Sequence, residues 1–164
     1  MVTIRPIRPD DESFLWDMAW EAAAVSPEMR ALGRNATLAV PEIRRYLEAW
    51  GRPGDAGVVA VDENNRRLGA AWYRLFSADA KGYGFVAPDI PELSIGVSPA
   101  ARGRGVGSAL LNALLATAHD EGQRGVSLSV DRQMSARRLY ERHGFRDVGI
   151  SNPDDTSITM MVTL

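Results

Sequence analysis

The sequence predicts a mixed α/β fold: a central mixed sheet with a β-α-β unit at its heart, over residues 1–164. Three observations predict it. Short apolar or alternating runs of strand length recur along the chain. Segments with helical spacing interrupt them. One apolar run, Leu93–Val97, passes through a glycine-arginine loop straight into a long helical pattern, and a further strand follows.

Taken in order, Val2–Arg5 reads as a short first strand. Pro9-Asp10-Asp11-Glu12 has the composition of a helix start, with acids in the first turn, and Phe14, Leu15, Met18 and Ala22 follow at helical spacing. Val25–Val40 reads as a long irregular connection. Pro41, at a favourable first helical position, opens a second helix reaching Trp50. Ala56–Val61 and Leu68–Phe76 are strands joined by the turn signal Asp62-Glu63-Asn64-Asn65. Ser77–Pro91 is a loop with Gly82, Gly84 and Pro88. After the strand around Ile95 and the glycine loop, a helix runs from Val106 to Glu121, with Gly122 placed to end it. In Gly125–Val130, valines and leucine alternate with serines, which is a strand pattern. Ser135–His143 is a short helix closed by Gly144. Phe145–Ile150 and Ile158–Leu164 are closing strands joined by the polar Ser151–Thr156. The expected order is β-α-α-β-β-β-α-β-α-β-β.

The length suits one domain with a proper core. An apolar fraction of 45% and a charged fraction of 24% are those of a soluble globular chain. The net charge of −2 gives no general drive toward nucleic acid or an anionic membrane. With no cysteine, disulfides, thiol catalysis and cysteine metal sites are excluded. The two histidines, His119 and His143, lack metal-ligand spacing, so no metal site is expected, and they read as surface or helix-end residues. The N-terminus carries no secretory apolar region, and no apolar run is long enough to span a bilayer; the expected location is the cytoplasm.

The chemistry concentrates in Arg102-Gly103-Arg104-Gly105-Val106-Gly107, between a buried strand and a helix start. Glycines let several backbone N–H groups converge, the helix start adds partial positive charge, and two arginines add full charges. The expected ligand is a phosphorylated cofactor with a diphosphate. A Walker A loop needs Gly-Lys followed by Ser or Thr, which does not occur. A dinucleotide fingerprint finds Gly105, Gly107 and a strand-end acid in Asp131. Against it, Leu110 stands at the third glycine position, Ser98–Arg102 separate strand from glycines, and only one β-α-β unit is present.

Arg102-x-x-Gly105-x-Gly107 resembles the acetyl-CoA loop of the GNAT superfamily, the GCN5-related N-acetyltransferases. Downstream, Ala136-Arg-Arg-Leu-Tyr-Glu-Arg-His-Gly-Phe145 resembles that family's Ala-x-x-Leu-Tyr-x-x-x-Gly-Phe segment, in the same order and at a similar distance. The resemblance covers about Glu92 to Phe145. One departure is Gln133, where members often carry Asn near the pantetheine.

The resemblance implies the GNAT fold and direct transfer of acetyl from acetyl-CoA to a primary amine, through a tetrahedral intermediate and without a metal. It implies a cofactor site made of Ile95, Gly96 and Val97 through their backbone, the loop Arg102, Gly103, Arg104, Gly105, Val106, Gly107 and Ser108, and Gln133. Gly96 would mark a bulge that splays this strand from Gly125–Val130. Tyr140 matches the family tyrosine proposed to protonate the departing thiolate; the alternative is a packed aromatic. Glu92 stands where related enzymes often place a base acting through water; the alternative is a solvated strand-end acid. Asp131 offers a cation-binding carboxylate or an ordinary turn residue. Arg137 and Arg138 face either the cofactor's 3′-phosphate or solvent. A non-catalytic acyl-CoA-binding or sensor module of the same fold is the alternative function, and a longer acyl donor is a further one. The acceptor would be a small-molecule or peptide amine, set by Val25–Val40 and Ser77–Pro91. The resemblance is compatible with a homodimer.

Overall fold

The computed structural model of the chain describes residues 1–24, 27–132, 134–150 and 156–164. Its centre is a seven-stranded sheet in the order β1-β2-β3-β4-β5-β7-β6. The strands are β1 (Thr3–Pro6), β2 (Ala56–Val61), β3 (Arg67–Arg74), β4 (Glu92–Val97), β5 (Gly125–Asp131), β6 (Arg146–Asp147) and β7 (Ser157–Thr163). All neighbours are antiparallel except β4 and β5, which are parallel. A parallel pair needs a crossover. Here it is the helix Val106–Asp120, so the β-α-β unit expected from the sequence is the middle of the sheet.

Side chains alternate between the two faces of a strand. On one face, Leu93, Val126, Leu128, Val130, Ile158 and Met160 meet Leu110, Leu111 and Leu114 of the crossover helix in one core. On the other, Val59, Val61, Ala70 and Trp72 pack against Leu15, Met18, Leu38, Ile43 and Leu47. The second face is covered by α1 (Glu12–Ala23), α2 (Pro27–Leu32), α3 (Arg34–Ala39) and α4 (Pro41–Arg44). The crossover helix is α5 and Ala136–Arg142 is α6. β3 is buried from Leu68 to Arg74, because both faces are covered.

The fold class stands as expected; the element order is corrected in one place and two element boundaries are corrected. Four helices, not two, lie between β1 and β2: the expected irregular connection from 25 to 40 contains α2 and α3. The expected helix from Pro41 to Trp50 is helical only to Arg44 and continues as turns, with Ala49 left-handed at φ 53°. Side chains of β3 explain the change. Trp72 Nε1 donates to the Tyr46 carbonyl at 3.1 Å, and Arg74 donates to the carbonyls of Arg45 at 2.9 Å and Glu48 at 2.7 Å. Those carbonyls find tertiary donors instead of the next helical turn. The third correction is the strand expected from Phe145 to Ile150, which reduces to Arg146 and Asp147. Most of the Ser151–Thr156 connection lies outside the described residues.

The acids expected at the first helix start have a further role. Asp11 is fully buried and accepts Arg5 at 2.7 and 3.0 Å, Arg67 Nε at 2.8 Å and the Arg8 amide at 2.7 Å. Burial alone would raise its proton affinity, but these donors outweigh it and hold the carboxyl well below the usual range. One carboxylate thus ties β1, β3 and the start of α1 together.

Candidate active site

The glycine loop lies where β4 hands over to α5. Gly103 and Gly105 take φ of 77° and 78°, and Gly105 is the N-cap of α5. That left-handed backbone strains any residue with a Cβ. A Cβ at either position would meet open space, so the glycines are demanded by conformation and leave the backbone uncovered. A Cβ on Gly107 would come within 3.5 Å of Leu139 on α6. The loop therefore presents bare backbone at a helix start.

The loop's side chains are distributed unequally. Val106 is buried in the α5-side core. Arg104 is exposed. Arg102 is drawn to one side: it pairs with Glu21 of α1 at 2.7 Å and donates to the Val97 carbonyl at 3.3 Å. The Ser108 hydroxyl meets His143 Nε2 at 3.4 Å, and His143 Nδ1 lies 2.8 Å from the Leu139 carbonyl. His143 thus links the start of α5 to the end of α6. Gln133 lies outside the described residues.

β4 and β5 share one register pair, Glu92 with Ser127, reinforced by the Ser127 amide donating to the Pro91 carbonyl at 2.9 Å. Beyond it the strands part. Ser94, Ile95 and Val97 keep partial exposure although β4 is central in the sheet. The expected splay is present: among the described residues no further β4–β5 register pair follows Glu92 with Ser127. The expected bulge at Gly96 is absent: β4 keeps an unbroken register with β3 from Glu92 to Val97. Gly96 serves packing instead. Its missing Cβ would stand 2.5 Å from the Met18 carbonyl oxygen, so α1 lies directly on β4 there.

Tyr140 sits on α6, 7% exposed, with its ring edge-on to Phe145 at 5.9 Å. Burial pushes its phenol up to about 12. It is therefore protonated at neutral pH, as a proton donor must be. The structure shows the ring packed in the α5-side core.

Glu92 is not a solvated strand-end acid. It is 2% exposed, enclosed by β3, β5 and the loop at Gly82–Gly84. Burial raises its carboxyl to about 7, only partly offset by the Tyr46 hydroxyl and the Gly84 amide, which favour the anion. Tyr46 donates to Oε2, while Oε1 makes no hydrogen bond of normal geometry. Ser127, its neighbour on β5, is also fully buried with its hydroxyl unpartnered. Asp131 ends β5 and accepts the Thr156 hydroxyl at 3.0 Å. Arg132, Arg137 and Arg138 line one groove of about 490 Å³ with Met134, Ser135 and Glu141.

Sequence reasoning missed Tyr46, Tyr83 and Ser127. Tyr46 precedes Glu92 by 46 positions, and no local spacing joins them. The one signal was Gly82 and Gly84 in the intervening loop. A Cβ on Gly82 would collide with Glu92 Oε1, and one on Gly84 would lie 2.5 Å from the Leu128 backbone. Those glycines let the loop lie flat on the carboxylate and on β5.

The profile of the Acetyltransferase (GNAT) family matches residues 26–145, and the chain belongs to that family. It is 34% identical over 148 residues to a mycothiol acetyltransferase of Pseudarthrobacter chlorophenolicus, covering 88% of this chain and 42% of that protein. The chain thus spans about two fifths of the curated relatives it matches. Among solved structures it resembles the ribosomal-protein-alanine N-acetyltransferase of Brucella melitensis, at TM-score 0.70 and 20% identity, covering 99% of each chain. It also resembles the PaiA N-acetyltransferase of Thermoplasma acidophilum, solved with coenzyme A, at TM-score 0.66 and 18% identity, covering 100% of this chain and 99% of that one. Among the described residues, no helix is long and apolar enough to cross a membrane.

Proposed function

We propose that residues 1–164 form one N-acetyltransferase domain that moves acetyl from acetyl-CoA directly to a primary amine. The observation that carries this reading is the parting of β4 from β5 just after Glu92, in line with the bare glycine loop. The loop and the start of α5 hold the diphosphate, with Arg104 supplying charge. The β5-facing backbone of β4 pairs with the pantetheine amides and supplies an N–H for the oxyanion of the tetrahedral intermediate. Glu92 takes the amine proton, directly or through water; a carboxyl held near 7 is matched to that work at neutral pH. Tyr140 gives a proton to the departing thiolate. The groove of Arg132, Arg137 and Arg138 beside α6 suits the cofactor's remaining phosphate.

The acceptor enters from the side of Ser77–Pro91 and the helices over the second sheet face. The curated relatives are named for mycothiol, so mycothiol-related amines belong in the acceptor set to be tried. The test is a turnover screen with acetyl-CoA over small amines, amino acids and peptides, following release of the free thiol. Turnover with any amine supports the reading. Binding of acetyl-CoA without turnover supports the alternative of a sensor module, and absence of binding overturns both.

A further inference from the structure

The two oxygens of the Glu92 carboxylate are unlike. Oε2 accepts the Tyr46 hydroxyl, whereas Oε1 makes no hydrogen bond of normal geometry, with the Gly84 amide nearby also favouring the anion. Tyr46 is itself fixed from several directions. Its hydroxyl accepts the Tyr83 amide at 2.7 Å. Its ring stacks on Tyr83 at 6.4 Å and meets Phe76 edge-on at 5.1 Å. Its carbonyl is held by Trp72, and the flanking carbonyls of Arg45 and Glu48 are held by Arg74. Arg74 in turn is clamped by Asp55 through two contacts, of 2.9 and 2.7 Å.

A tyrosine hydroxyl has one proton to give. With the Tyr83 amide donating to its oxygen, that proton is directed to Glu92. Burial, then the charge of Glu92, raise the Tyr46 phenol well above its ordinary value, so it keeps the proton. The groups facing the carboxylate are Tyr46 from the turn after α4, the loop backbone at Gly82, Tyr83 and Gly84, and Ser127 from β5. Arg74 lies opposite on β3, but its guanidinium is committed to Asp55 and the two carbonyls.

We propose that Tyr46 is the positioning residue of Glu92: it pins Oε2, so that the amine proton passes to Oε1. Trp72 and Arg74 hold Tyr46 in place by gripping the backbone of its turn. Tyr46 acts through Glu92 and does not touch the reacting atoms. The inference rests on Glu92 as the base, and the experiment separates the two.

The carboxyl of Glu92 is followed by carbon NMR in protein labelled at glutamate, with Glu92→Gln identifying the resonance. Tyr46→Phe keeps the ring and removes the hydroxyl. The anion then loses a donor, so the Glu92 titration midpoint should rise by about one pH unit. The acid limb of kcat/KM should move with it, roughly tenfold lower activity below both midpoints, while acetyl-CoA affinity and activity at high pH stay unchanged. A difluorotyrosine at position 46 keeps the shape and donates more strongly, so the midpoint should fall; this arm serves if Tyr46→Phe does not fold. An unmoved midpoint in either folded variant overturns the proposal. A midpoint that moves while the acid limb stays put keeps Tyr46 as the residue orienting the carboxylate and removes Glu92 as the base.

Discussion

Replacing Glu92 with Gln should change how stability responds to pH, whatever the acceptor is. The folded chain holds this carboxyl's proton up to about 7, against an ordinary value of 4.5. Below 4.5 the group is protonated in both folded and unfolded chains, and its contribution to stability is fully present. As pH rises from 4.5 toward 7, the unfolded chain ionises first, and stability is lost progressively until the folded carboxyl ionises as well. The interval corresponds to about 3 kcal/mol at 1.36 kcal/mol per pH unit. That is a large share of a typical stability of about 5–15 kcal/mol. Gln fills the same space and cannot ionise, so the variant lacks this term. Urea unfolding of both proteins at about pH 5 and about pH 8 measures it as the difference between two differences. The wild type should lose roughly 2 to 3 kcal/mol more than the variant across that range, since part of the term is already gone at about pH 5. Because Gln also alters the contact with Tyr46, the offset at one pH is not the readout. Stability curves that stay parallel would show that Glu92 is not held neutral by burial, and the assignment of a tuned base would fall with it.

Tyr140→Phe should lower kcat roughly 10²-fold and leave acetyl-CoA affinity unchanged, measured where chemistry limits turnover; an unaltered kcat assigns the thiolate proton to another donor. Gly105→Val places a β-branched residue at φ 78°, at a cost of about 1–2 kcal/mol in unfolding experiments. Its acetyl-CoA affinity should fall at least about tenfold, or 1.4 kcal/mol, by calorimetry; full affinity in the folded variant would remove the loop from the phosphate site. Gly96→Ala sets a Cβ 2.5 Å from the Met18 carbonyl oxygen. It should destabilise by about 1–3 kcal/mol in urea, because α1 must move off the sheet; no loss would mean that α1 shifts freely.

The parts of the fold legible in the sequence are those specified by neighbours in the chain. Alternation from Val126 to Val130, the Asp62–Asn65 turn and the run from Leu93 through Gly107 into α5 each carry their own period or turn chemistry, and each is found in place. The turn after α4 was not legible, because its carbonyls are taken by Trp72 and Arg74, more than twenty residues away. The same reason hid half of the site. The glycine loop announces itself within six residues. The Glu92 environment is assembled from the turn after α4, β3, β5 and the Ser77–Pro91 loop, and only its glycines left a trace in the sequence. Gly96 drew attention for the wrong reason: a strand glycine signals either a bulge or a close approach, and here a helix backbone makes the approach.

The Arg74–Asp55 pair shows how this remote organisation bears on the chemistry. Both side chains are almost fully buried, at 1% and 2% exposure. Removing two charges from water costs about what their attraction returns, so such a pair adds little net stability. It does add direction. A guanidinium held by a bidentate carboxylate has a fixed plane, and its remaining donors can point only where the plane allows. Here they point at the carbonyls on either side of Tyr46. An apolar residue in place of Arg74 would leave the Asp55 carboxylate buried without its cation and would free those carbonyls from their tertiary donor. The Tyr46 ring would then swing away from β4, and Oε2 of Glu92 would lose its donor. Charge burial at the end of β3 is therefore tied to the orientation of a carboxylate at the start of β4, through one short turn that local propensity alone would have made helical.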